Sequence, residues 1–384
     1  MPEFITLDNI DHLAAGAAFL GTGGGGDPYI GALLCREALE RFGPVRLLPL
    51  AELGDDEAVF TTAGMGAPTI LLEKLLSLED ADSSVRALER HLGRTATAII
   101  AAEIGGINAT LPIAYAAMRG LPLVDGDGMG RAFPLLQMST FNAAGVSCTP
   151  LSLADEFGNR AIIETGSAAT AEEFARALVV AFGASANLSC YPMTGAEAKR
   201  GSVAGSMSAA LEIGAAINGR PSDGDPVDRL LKALRQQSLY GHAYRLFEGK
   251  IIGLERDTSR GWVFGTCDMV GLEDGRRCSV KFQNENLSVE IDGALHAIVP
   301  DLITIIDRET ASAIPTESLR YGQRVAVIGC NAPGELRSPR GLELMGPAAF
   351  GLTHPYQNIE TLAAELDAQP TGSGTFEIIQ EELL

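Results

Sequence analysis

Paired metal ligands are missing from this sequence. Its five histidines (His12, His91, His242, His296, His354) are scattered, with no HxH or HxxxH spacing, which removes the local signature of a histidine-built zinc site. The six cysteines (Cys35, Cys148, Cys190, Cys267, Cys278, Cys330) lie far apart and form no CxxC. That excludes a disulfide framework and points to buried thiols in a reducing compartment, so a cytoplasmic location is expected. No apolar run reaches the roughly 18 residues of a membrane span. The opening MPEFITLDNI has neither the basic stretch nor the apolar core of a signal peptide, and none is expected. Positive charge is also short: 29 Lys and Arg face 49 Asp and Glu, for a net charge of −20 and a pI near 4.7. A surface of that sign repels nucleic acid and anionic membranes. The expected partner is a small-molecule substrate, and the expected assembly a homo-oligomer.

Glycine, by contrast, is abundant, and its densest run is FLGTGGGGDPYIGALL, residues 19–34. Glycine inside regular structure costs about 0.5–1 kcal/mol and gains something only where φ must be positive or another group must come close. The run joins two helices. LDNIDHLAAGAAFL has helical spacing and ends near Gly21; Asp27 reads as an N-cap and Pro28 as the first residue of a helix running to Gly43. A dinucleotide fingerprint or a Walker loop would follow a buried strand, and the latter would end in Gly-Lys-Ser/Thr. Neither condition holds. Two readings remain: a site where loop N–H groups and a helix start meet an anionic or polar ligand, or a tight crossing of two backbones.

Downstream, strand-like runs alternate with helices. VRLLPL, AVFTTAG, ATAIIAAE and LPLVDGDG read as strands. LEDADSSVRALERHLG, GINATLPIAYAAMRG and RAFPLLQMSTFNAAG read as helices. PLSLADEFGNRAIIE reads as a hairpin turning at residues 156–159. Thr170/Glu173 and Thr194/Glu197 have capping-box spacing, and Asp225-Pro226 opens a further helix. From about residue 240 the texture changes to short β runs with turn signals every 8–12 residues. The expected fold is therefore a three-layer α/β domain with a mixed sheet over 1–240, completed by about 340–365. A smaller β-barrel-like or β-sandwich domain is expected over 241–340, and a tail over 366–384.

In open α/β sheets, ligands bind beyond the carboxyl ends of the strands. Three glycine-rich junctions fall at such ends: TTAGMGAP; AAEIGGIN, with Glu103 and Asn108; and LVDGDGMGRAFP, with Asp125, Asp127 and Arg131. Packed carboxylates raise one another's pKa and can exchange protons, so Glu103, Asp125 and Asp127 are the candidate catalytic groups. The candidate substrate-binding residues are Thr22, Gly23, Gly24, Gly25, Gly26, Asp27, Asn108 and Arg131, the last suited to gripping a carboxylate. The same acids offer oxygen ligands to a hard divalent cation, so the cofactor expectation is either none or such a metal. Each acid also has a plainer reading as a cap, turn former or ion-pair partner. Cys148 has no neighbouring histidine and reads as a buried thiol, and Lys199-Arg200 as solvated surface. The polar run KFQNENL, with Gln283, Asn284, Glu285 and Asn286, reads as a turn able to line the cleft between the two domains.

Taken in order, LGTGGGGDPY, AAEIGGIN, DGDGMGRAFP with LQMST, LADEFGNRAIIE, KFQNENL and PDLITIIDRET through LRYGQRVAVIG resemble the bacterial S-methyl thiohydantoin desulfurase family, often found near hydantoin-utilising genes. The resemblance spans roughly residues 5–355. It implies an α/β domain with a β-barrel-like domain. It also implies hydrolytic loss of methanethiol from an S-methylated thiohydantoin bearing a propionate, a step in the breakdown of S-methylated thiol-histidine betaines. Cys330 in VIGCNAP and His354 in GLTHPYQN depart from the family pattern. The competing expectations are a non-catalytic subunit that binds a hydantoin-like anion and a nucleotide-dependent accessory subunit of a hydantoin-opening system.

Overall fold

The computed structural model describes residues 3–26, 28–66, 70, 74, 77–259 and 262–367. Its first sheet has ten strands: β1 (Phe4–Ile5), β2 (Val45–Pro49), β3 (Ala58–Gly66), β4 (Ala98–Ala101), β5 (Leu123–Asp127), β6 (Leu151–Ala154), β7 (Arg160–Ile163), β8 (Ser185–Ser189), β9 (Met193–Thr194) and β10 (Val203–Ala204). The main order is β1-β2-β5-β4-β3-β8-β6-β7. The β2–β5, β5–β4 and β4–β3 pairs are parallel and the remainder antiparallel, so the sheet is mixed. Every residue of β4 and β5 is buried, as expected of parallel strands covered on both faces.

The second sheet is wholly antiparallel, in the order β15-β14-β13-β12-β11-β17-β16. Its strands are β11 (Ala243–Ser259), β12 (Trp262–Val270), β13 (Arg277–Gln283), β14 (Glu285–Ile291), β15 (Ala294–Ile298), β16 (Leu302–Asp307) and β17 (Arg324–Cys330). It curls into a half-barrel, bringing its edges together: Asn286 of β14 donates to the Ile303 carbonyl of β16 at 3.0 Å. Asp292 and Gly293 turn β14 into β15 with φ of +49° and +84°, the geometry of a type I′ turn. The segment after β17 sends Leu336 and Met345 into the core shared with the α/β helices and stacks Phe350 on Phe133, whereas Ile359 and Ala363 join the β-sheet core. The proposed tail lies almost wholly outside the described residues.

Several local expectations hold. Asp225 accepts the Val227 and Asp228 amides ahead of Pro226; Thr194 and Glu197 form a reciprocal capping box; residues 156–159 turn the β6–β7 hairpin; all six cysteines are free and buried. Two need correction. The helix Ala168–Ala181 is capped by Ser167, whose side chain accepts the Thr170 amide, not by a Thr170/Glu173 box. The stretch 131–145 is not one helix: only Thr140–Ala143 is helical, because Pro134 and the turn before Ser139 break the backbone pattern earlier. Among the described residues, no helix is long and apolar enough to cross a membrane.

Candidate functional site

The helices Ile10–Leu20 and Pro28–Phe42 leave between them the glycine loop, which meets a second glycine pair at the end of β4. Thr22, Gly23, Gly25 and Gly26 all have positive φ, at +51°, +96°, +84° and +79°. A Cβ on Gly25 would lie 2.5 Å from the Gly105 carbonyl carbon, and one on Gly106, itself at φ +53°, would lie 2.2 Å from the Gly25 oxygen. The Ile107 amide donates to that same oxygen at 2.8 Å. The two backbones therefore cross without side chains between them. The loop is tied equally to the half-barrel: Asn286 N–H donates to the Thr22 carbonyl at 2.8 Å, and Thr316 N–H to the Gly23 carbonyl at 2.9 Å. The reading as a tight crossing holds, and the crossing leaves Gly24–Gly26 along the wall of a cavity of about 240 Å³.

Four glutamates line that cavity, Glu103, Glu172, Glu285 and Glu317, and two of them, Glu103 and Glu285, have buried, unpartnered carboxyl oxygens. Glu103 comes from the β4-to-helix turn. Its Oε1 accepts Asn108 Nδ2 at 2.6 Å, and Asn108 Oδ1 in turn accepts the Gly64 amide at 2.8 Å, pinning the end of β3. Its Oε2 is buried and unpartnered. Burial raises the Glu103 pKa to about 7; the Asn108 hydrogen bond and the Phe133 amide oppose the shift, and the charge of Asp127 adds to it. Glu285 enters from the other side, at the start of β14, with a buried, unpartnered Oε2. Burial first, then the charge of Glu103, push it up to about 8, against the pull of the Arg131 guanidinium. Burial thus favours the protonated form of both carboxyls, and the charge of Glu103 adds to the shift at Glu285. Met65, Phe133, Leu135, Leu136, Leu188 and Val263 supply the apolar wall, and the Arg176–Glu172 ion pair, at 2.5 Å, lies at its margin.

The sequence-derived candidates divide into those that line the cavity and those behind it. Gly24, Gly25, Gly26, Glu103 and Asn108 line it. Gly23 and Thr22 lie behind, tied to Thr316, Asn286 and Arg131. Asp27 lies outside the described residues. Asp125 accepts the Ser208 amide at 3.0 Å and its hydroxyl at 2.6 Å, so it anchors the helix Ser206–Ile217 to β5. Asp127 accepts the Met129 and Gly130 amides at 2.9 and 2.8 Å, and burial raises it to about 6. It sits behind Glu103 rather than in the cavity wall. Arg131 has no exposed surface and spends its donors on Thr22, Ala132, Asn286, Pro300 and Asp301, leaving none pointed into the cavity. The sequence-level candidate set omits Glu285. The polar run KFQNENL is its signal, since a buried strand otherwise has no reason to begin with two polar residues, Glu285 and Asn286.

Among the described residues, no three His, Cys, Asp or Glu side chains cluster closely enough to share a metal ion. Cys148 is buried and far above its ordinary pKa, through its hydrogen bond with Cys190 and then burial. Lys199 forms a surface ion pair with Asp55.

Residues 8–165 match the S-Me-THD-like N-terminal domain and residues 166–359 the S-Me-THD-like C-terminal domain. A crystal structure of a protein from Chromobacterium violaceum is similar over 93% of this chain and 99% of its own, with 26% identity and a TM-score of 0.77. No curated protein matches the chain. With both domain models matched in order across residues 8–359, the chain belongs to the S-Me-THD-like family.

Proposed function

We propose that the protein is a hydrolase that adds water to the C=N carbon of an S-methyl thiohydantoin and releases methanethiol, leaving the hydantoin. The observation that carries this reading is the pair Glu103 and Glu285 in one glycine-walled cavity, with values near 7 and 8. Water addition to an imidazolone needs a base for the water and an acid for the ring nitrogen, both matched to neutral pH. Glu103 fills the first role, because Asn108 favours its ionised form. Glu285, with the higher value, fills the second. The attacking oxygen bonds to the ring carbon as Glu103 takes its proton, and Glu285 gives its own proton to the ring nitrogen. The tetrahedral centre then collapses: the hydroxyl proton returns to Glu285, the C–S bond breaks, and the departing sulfur takes the proton held by Glu103. Water, ring and methylthio group become carbonyl, ring N–H and methanethiol, and both glutamates end as they began. N–H groups of Gly25 and Gly26 are the donors available to the developing charge.

The test is a thiol-release assay over S-methyl thiohydantoins, thiohydantoins and plain hydantoins, with E103Q and E285Q beside the wild type. Release of methanethiol that falls about 10²-fold or more in each variant supports the reading, since acid–base groups contribute 10²–10⁴. Binding of a hydantoin-like anion with no thiol release from any substrate would instead identify a non-catalytic subunit.

A further inference from the structure

Arg131 is the bulkiest fully buried side chain among the described residues, and nothing in the proposed chemistry uses it. Its guanidinium makes five hydrogen bonds: Nε to the Ala132 carbonyl at 3.2 Å, Nη1 to the Pro300 and Asp301 carbonyls at 3.3 and 2.9 Å, and Nη2 to Thr22 Oγ1 and the Asn286 carbonyl at 2.7 and 3.0 Å. It also lies 4.9 Å over the Phe133 ring. All of its hydrogen-bond acceptors are neutral. A buried cation without a bonded counter-ion is costly unless negative charge lies nearby. Two carboxylates do, Glu285 and Asp301. Asp301 is committed elsewhere, accepting from Ala332, Arg337, Tyr356 and Ile359. Glu285, the residue before Asn286, is the carboxyl group left facing the guanidinium.

The acceptors also lie on separate pieces of chain. Thr22 opens the glycine loop, Asn286 adjoins Glu285 on β14, Pro300 and Asp301 lead into β16, and Arg131 itself follows β5 two residues before Phe133, whose amide faces Glu103. We infer that Arg131 is a positioning residue for the carboxyl pair: a buried cationic clamp that fixes the α/β side of the cavity against β14, and so holds Glu285 in place against Glu103, without hydrogen-bonding to either carboxyl. The charged groups facing Glu285 are Glu103 from the β4 turn, Glu317 from the turn Thr316–Ser318 and Arg131 from behind. This inference rests on Glu103 and Glu285 being the acid and base of the site.

R131K keeps the charge and loses the fork; R131M loses both. The measurement is carboxyl titration of Glu285 by carbon-detected NMR on intact substrate-free protein, beside kcat, KM and the pH profile of thiol release. We expect R131M to raise the Glu285 titration by about one pH unit, the effect of losing a nearby opposite charge. R131K should leave the titration near that of the wild type while lowering kcat about tenfold with little change in KM. An unshifted Glu285 in folded R131M overturns the inference. If R131M does not fold, R131K decides: wild-type kcat overturns the clamp, and a kcat loss partly rescued by added guanidinium in R131G supports it. A titration shift without thiol release from the wild type would sink the hydrolytic reading and leave the clamp standing. Thiol release without a shift would do the reverse.

Discussion

Gly24→Ala separates the chemistry of the glycine loop from its folding. Unlike its neighbours, Gly24 does not have positive φ, so its backbone accepts an L-residue. What opposes a side chain there is Glu285: a Cβ would lie 2.1 Å from Oε1 and 2.7 Å from both Cδ and Cγ. Real carbon contacts stay beyond about 3 Å, so the carboxyl must retreat by about 1 Å, and a displacement of that size at a reacting group costs about 10²-fold in rate. Crowding adds about 1–3 kcal/mol of destabilisation, or a Tm lower by about 1 °C per kcal/mol for a chain of this size. Gly25→Ala should show the opposite balance. Its φ of +84° and a Cβ 2.5 Å from the Gly105 backbone strain a crossing that has no flexible side chain to give way. The assay is methanethiol release with thermal unfolding on both variants. Wild-type turnover in G24A would refute the reasoning, as would a larger stability loss in G24A than in G25A.

The pH profile of kcat/KM should be a narrow bell, rising as Glu103 ionises near 7 and falling as Glu285 loses its proton near 8, with the falling limb absent from E285Q. The same raised values make stability fall with pH. Both glutamates hold protons in the fold that the unfolded chain releases at ordinary carboxyl values, so the benefit is complete at low pH and lost through 7 and 8. E103Q and E285Q should therefore flatten the decline in Tm between pH 5 and 8.5, read by calorimetry, and a decline as steep as the wild type's would count against the buried pair. D125N should lower stability by about 1–2 kcal/mol through the lost Ser208 contacts while leaving both limbs of the bell in place, measured by denaturant unfolding beside the profile.

Those outcomes bear on residues that were unequally legible in the sequence. The helix start at Pro28, the Asp225-Pro226 cap, the Thr194 capping box and the buried runs of β4 and β5 follow from local rules, and they appear where local rules put them. Glu103 was legible because a glutamate at the end of a buried strand, followed by Gly105 and Gly106, is unusual enough to need a reason. Glu285 is legible only as one member of a polar turn able to line the cleft, because its exact place depends on how the half-barrel curls back over the glycine loop, a long-range contact without sequence periodicity. Arg131 was read as a substrate grip for the opposite reason. An arginine after a glycine-rich strand end looks like a ligand-binding group, and only the carbonyls of Asn286, Pro300 and Asp301 reveal that its fork is used inward. Asp125 shows the same limit, since a carboxylate at a strand end serves a helix N-terminus as readily as a ligand.

The crossing of Gly25 with Gly105 and Gly106 divides the cavity into parts with different freedom to vary. Its floor is main chain plus two carboxyls, and any substituent added to either strand of the crossing collides with the other. Its wall is made of ordinary side chains, Met65, Leu135, Leu136, Leu188 and Val263, each of which can shrink or grow while the crossing stays as it is. A library built for new ring substituents should therefore randomise those five positions and leave both glycine runs untouched. Selection acting on the wall alone can reshape such a pocket while its floor passes unchanged from one descendant to the next.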